Sequence, residues 1–177
     1  AINGHVYPQL ESADLGASAA YRQRKLLYRN LGDGTFREVT ERAPVLLERK
    51  VSRGLAAGDL DRDGRLELVV NDLDGRAQVL RNELEDPGSW LVAELVGSQG
   101  NRDAIGGVVT VGTGELTQTR LVRSGASYLS QNAMARHFGL GSTSRVDGLA
   151  VRWPDGSRSR MENLPADRYF RIFHPGR

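Results

Sequence analysis

The stretch Gly58-Asp59-Leu60-Asp61-Arg62-Asp63-Gly64-Arg65-Leu66-Glu67-Leu68-Val69-Val70 constrains this chain more than any other. Three aspartates stand at alternate positions, a glycine follows the third, and Glu67 comes four residues after Asp63. Oxygens at the first, third, fifth and ninth positions of a tight loop suit a hard cation such as Ca²⁺. Gly64 permits the sharp turn that folds them inward. The carbonyl of Arg65, at the seventh position, is the natural backbone ligand. The twelfth position, where an EF-hand places a bidentate glutamate, is Val70, and no helical periodicity flanks the loop. A calcium loop built onto a β-strand is therefore expected, with Asp59, Asp61, Asp63, Arg65 and Glu67 as its ligand set. The alternative is a solvated acidic turn, in which the clustered carboxylates repel one another with no cation to neutralise them.

The remainder reads as short strands between turns. Glycine is frequent, 21 of 177 residues, which favours a turn-rich β protein. Leu26 to Asn30 is a strand, Gly32-Asp33-Gly34 a hairpin turn, and Phe36 and Val39 the anchors of the returning strand. Leu10 to Ala20 reads as a loop, and Glu41 to Val51 as a connection with a short helix. Gly54 to Gly58, Leu66 to Val70 and Gln78 to Asn82 are strands, with Asn71 to Gly75 a turn. Asp72 and Asp74 there are turn residues, with a second cation site as the alternative. The endings Leu27-Tyr28-Arg29-Asn30 and Val79-Leu80-Arg81-Asn82 repeat about 50 residues apart, a spacing suited to propeller blades. After a linker over Glu83 to Ser89 the pattern changes. Strands are expected over Trp90–Val96, Ala104–Val111, Leu116–Val122, Val146–Trp153, Ser157–Leu164 and Arg168–Phe173. Such a series suggests a β-sandwich or barrel.

Composition removes several function classes. There is no cysteine, hence no disulfide, thiolate metal site or cysteine nucleophile. Lysine plus arginine total 24 against 22 acidic residues, a net charge of +2. That balance gives no argument for nucleic acid. No run approaches the roughly 20 apolar residues of a membrane span. His5, His137 and His174 share no metal-ligand spacing; His137 reads as a hydrogen-bonded structural histidine. Asp103, Ser127, Ser130 and His137 offer a hydrolase set only on paper, because no Gly-x-Ser-x-Gly elbow is present. Trp90, Trp153, Tyr128 and Tyr169 read as core residues, with sugar stacking as the alternative. Asn101, Arg102 and Asp103 form a polar cluster that either contacts a ligand or caps a strand.

The acidic loop, with the Leu-Tyr-Arg-Asn and Gly-Asp-Gly-Thr-Phe segments, resembles the FG-GAP/VCBS repeats of calcium-binding β-propellers. The second half is similar to the ASPIC/UnbV domain. The segments that carry this likeness are Asn101 to Gly107, Arg123 to Gln131, His137 to Gly141 and Val151 to Gly156. Side by side, the two resemble the cartilage acidic protein family, in which several FG-GAP repeats precede the ASPIC/UnbV domain.

The resemblance implies an all-β chain: a partial β-propeller-type FG-GAP/VCBS repeat over residues 1–85, then a β-sandwich-like ASPIC/UnbV domain over 86–177. It implies the C-terminal part of a longer, exported protein (secreted, periplasmic or at the cell surface), with the missing N-terminal blades or another chain covering open strand edges. It also carries over the calcium site, although the family more often has aspartate where Glu67 stands. The expected function is a non-catalytic calcium-binding module for adhesion, scaffolding or interaction with an extracellular protein or glycan. The alternative is an accessory or modifying enzyme of natural-product biosynthesis. Its pocket would be formed by Asn101, Arg102, Asp103, Ser130 and Gln131, with His137.

Overall fold

The computed structural model describes residues 1–177 except 5, 8, 10–19, 74 and 115. His5, Asp74 and nearly all of the loop expected over Leu10 to Ala20 lie outside the described residues. The chain is built from strands, with no α-helix among the described residues. It divides into two compact units. The first comprises Ala1–Ala56, Leu68–Leu80 and Ser127–Ser130; the second comprises Ala57–Glu67, Arg81–Ala126 and Gln131–Arg177.

In the first unit, β1 (Tyr28–Asn30) and β2 (Phe36–Glu38) pair antiparallel around the Gly32-Asp33-Gly34 turn. Asp33 Oδ1 accepts from the backbone N–H and the hydroxyl of Thr35, which closes the turn. Phe36 is not an anchor: it is 63% exposed, because no second layer among the described residues covers its three-residue strand. Single 3₁₀ turns at Thr40–Arg42 and Pro44–Leu47 fill the expected connection. A three-stranded sheet follows in the order β3 (Ser52–Gly58), β4 (Glu67–Asp72), β5 (Gln78–Leu80). Asn71 and Asp72 continue β4 and do not form the expected turn. Asp72 is buried there, where Ser52 Oγ donates to its Oδ1 at 2.6 Å and Lys50 Nζ lies 3.7 Å from its Oδ2. A buried carboxylate with such partners favours extending the strand over ending it.

The second unit is a β-sandwich. One sheet has the order β11 (Arg158–Pro165), β10 (Arg145–Arg152), β7 (Val108–Thr113), β8 (Leu116–Leu121). The other has β12 (Arg168–Phe173), β6 (Ser89–Val96), β9 (Arg136–Gly141), with β12 parallel to β6. Alternate residues of both sheets interdigitate. Leu91, Ala93, Leu95, Phe138 and Ile172 of one meet Val109, Val111, Val146, Leu149 and Val151 of the other in one apolar core. Trp153 is fully buried in it and donates Nε1–H to Ser159 Oγ at 2.8 Å. The strand expected from Ala104 starts only at Val108. Ala104 (φ 51°) and Gly106 (φ 92°) are left-handed, which turns the chain before the strand can begin.

Candidate functional site

The acidic loop belongs to the second unit, as do the residues that hold it. Its entry is fixed by Asn132, whose Oδ1 accepts from Ala57 N–H at 2.9 Å, while Ala133 N–H donates to the Ala57 carbonyl at 2.9 Å. Gly64, at φ 88°, needs the freedom of glycine for a second reason besides the turn. A Cβ there would lie 1.9 Å from Cε2 of Trp90, whose indole packs directly on the glycine. His137 stacks near Trp90, with ring centroids 6.5 Å apart and planes inclined by 15°. Its Nε2 donates to the Gly64 carbonyl at 2.7 Å, an acceptor that fixes the tautomer. Tyr169 meets Trp90 edge-on at 5.5 Å.

Three of the predicted ligands converge. Carboxylate oxygens of Asp59, Asp61 and Glu67 all lie within 4.8 Å of one another. Each is oriented by a donor. Asp59 accepts from the backbone N–H groups of Asp63 (3.1 Å) and Gly64 (2.8 Å) and from the Tyr169 hydroxyl (2.7 Å). Glu67, buried, accepts from Leu60 N–H at 2.9 Å. Asp61 is exposed and pairs with Arg81 at 2.8 Å. Burial first, and then the hydrogen bond to the Asp59 carboxylate, push the Tyr169 phenol above its ordinary range and keep it a donor.

Asp63 stands apart from this trio. Its Oδ1 accepts from Arg65 N–H at 2.8 Å and its Oδ2 lies 3.8 Å from Arg65 Nε. The trio fits a hard divalent cation in donor chemistry, since all its side-chain ligands are carboxylate oxygens. Among the described residues, neither Asp59 nor Glu67 has a salt-bridge partner, whereas Asp61 has Arg81. Asp59 and Glu67 are thus met by neutral donors alone, while Asp61 is met by a cation.

Beside the loop lies an open cleft of about 740 Å³, lined within the second unit by Asp59, Arg62, Glu94, Arg123, Arg136 and Tyr169 among others. Arg62, left-handed at φ 64°, lays its guanidinium over the Tyr169 ring at 4.4 Å from the centroid. The enzyme alternative needs Asp103, Ser130, Gln131 and His137 in one pocket, but only His137 lines this cleft. Asn101 staples a turn: its side-chain amide donates to the Ile105 carbonyl and its Oδ1 accepts from Ile105 N–H, both at 2.9 Å. Arg102 and Asp103 are exposed beside it. Ser130 Oγ donates to the Tyr128 carbonyl at 3.0 Å, and Gln131 Nε2 donates to Met134 Sδ at 3.0 Å. Tyr169, Trp90, Asn132 and Arg81 escaped the sequence reading as supports of the loop, because they are remote from it in sequence. Of these, only Arg81, placed just after a strand in the repeated Arg-Asn ending, carried a signal of its own.

No curated protein matches the chain. Two family models do match. One, described as FG-GAP-like repeat, covers residues 14–70. The other, described as ASPIC and UnbV, covers residues 97–177. The chain therefore joins an FG-GAP-like repeat to an ASPIC and UnbV domain, the domain combination to which its motifs point.

Proposed function

We propose that this chain is a non-catalytic, calcium-binding β module of an exported protein, serving adhesion, scaffolding or interaction with an extracellular protein or glycan. The observation that supports it best is the convergence of Asp59, Asp61 and Glu67 within 4.8 Å. The ion replaces carboxylate repulsion by shared coordination and clamps the turn between β3 and β4, a structural role. Asp59, Asp61 and Glu67 supply side-chain oxygens, the Arg65 carbonyl a backbone oxygen, and Asp63 orients the loop through Arg65. Affinity in the range of about 10⁻⁴ to 10⁻³ M suits a module working where calcium is plentiful.

Melting of the 177-residue chain in EDTA, and after calcium is restored, tests this reading. At 100 times its Kd a ligand adds about 2.7 kcal/mol to stability, so the transition should rise by several degrees and fall again on chelation. Identical curves in EDTA and in excess calcium would remove the calcium reading.

A further inference from the structure

The cleft beside the acidic loop carries an imbalance of charge that the calcium reading does not use. Arg62, Arg120, Arg123 and Arg136 line it, and among the described residues none of the four has a carboxylate within salt-bridge distance. The two acids that line it are already engaged: Glu94 faces Arg171 at 3.6 Å, and Asp59 accepts from Tyr169 and two backbone N–H groups.

Two of the arginines, Arg136 and Arg120, are held in place by neutral groups. Arg136 Nε donates to the Met134 carbonyl and its Nη2 to the Ala133 carbonyl, both at 2.8 Å. Those bonds use two of five N–H donors and fix the plane of the fork. Arg120 donates to the Thr119 carbonyl at 3.2 Å and to Gln118 Oε1 at 3.3 Å. Arg136 is half-buried, and desolvation first, then the nearby Arg123 charge, lower its pKa from the ordinary value. Arg123 and Arg136 thus line one cleft with no carboxylate within salt-bridge distance of either, an arrangement of like charges that an anion would relieve.

We propose that this cleft binds a small ligand through an oxyanion group seated between Arg123 and Arg136, with Arg62 and Arg120 adding positive charge around it. The recognised chemistry is a sulfate or phosphate ester or a carboxylate, which matches the bidentate geometry of guanidinium. The oxyanion seat at Arg123 and Arg136 uses none of the three carboxylates, although Asp59 and Arg62 of the acidic loop line the same cleft.

The test follows the arginine Nε–H resonances of the whole ¹⁵N-labelled chain by NMR in calcium-free buffer. Sodium sulfate and sodium succinate are titrated separately against sodium chloride at equal ionic strength. A saturable shift of the Arg136 resonance is expected with at least one of the two. Response to sulfate alone assigns a tetrahedral ester group; response to succinate alone assigns a carboxylate. Arg123→Gln, at an exposed position, should weaken binding at least tenfold with the melting curve unchanged. Arg136→Lys keeps the charge but loses the fork, and should also weaken it. The proposal is overturned if neither anion shifts Arg136 beyond chloride, or if Arg123→Gln leaves the isotherm unaltered. The titration is repeated in excess calcium chloride: no Arg136 shift in either condition overturns the proposal, whereas a shift that is the same in both supports it whatever the outcome of the calcium melting test.

Discussion

Gly64 is the residue on which the acidic loop turns, and two constraints meet there. The left-handed φ of 88° was legible from the pattern of aspartates ending in glycine. The indole of Trp90, which leaves no room for a Cβ, was not, because it comes from a strand that begins 25 residues later in the sequence. Gly64→Ala is expected to lose at least about 2 kcal/mol of stability, from left-handed strain and displacement of a packed ring. Urea unfolding of the two proteins in calcium-free buffer measures it; a loss below about 0.5 kcal/mol contradicts the packing described. Glu67 and Asp63 show the same division. Their spacing marked both as ligands, yet only the fold tells which carboxylate is buried beside Asp59 and which turns to Arg65.

Most elements of the second unit were readable, because inward and outward residues alternate along β7, and along β10 from Leu149 to Arg152, with the period of a half-buried strand. Turn chemistry is equally plain in Pro154-Asp155-Gly156, which stands between the strands expected over Val146–Trp153 and Ser157–Leu164. There Asp155 Oδ1 accepts from the backbone N–H and hydroxyl of Ser157, at 3.0 and 2.7 Å, and its Oδ2 lies 3.0 Å from His174 Nε2. The Ser157 hydroxyl first, then its N–H, and His174 further down, hold the Asp155 carboxyl below the usual aspartate range. A carboxyl whose folded pKa is depressed contributes stability above its unfolded pKa and loses it as pH falls through the folded value. Asp155→Asn should therefore flatten the acid limb of a stability–pH curve below about pH 4. Unchanged slopes would mean that this turn contributes nothing to acid sensitivity. What sequence hid was the fate of Phe36 and Asp72. Local pattern gives the period of a strand but not whether a second layer covers it, so an exposed Phe36 and a buried Asp72 both ran against expectation.

At the level of the whole chain, the two family models match in the order of the motifs, residues 14–70 before 97–177. The compact units cut the chain differently, since Ala57–Glu67 groups with the C-terminal strands. The acidic loop is thereby supported by Trp90, Asn132, His137 and Tyr169, all from the second unit. The arginines of the cleft were invisible in sequence for a related reason. Arg62 lies in the acidic loop, Arg120 in β8, Arg123 just after it and Arg136 at the start of β9, and only the fold gathers them.

The placement of aromatic rings beside the carboxylate trio lets cation binding be read by sensitised emission. Tb³⁺, a hard cation that occupies oxygen-ligand sites, is excited by energy transfer from nearby indole and phenol rings. Trp90 packs on Gly64 and Tyr169 bonds Asp59, so excitation of the rings should give saturable Tb³⁺ emission that calcium displaces. The emission should disappear in Asp59→Asn and Glu67→Gln. Absence of sensitised emission in the unaltered chain, or emission that persists in both variants, would contradict a cation site built by Asp59, Asp61 and Glu67.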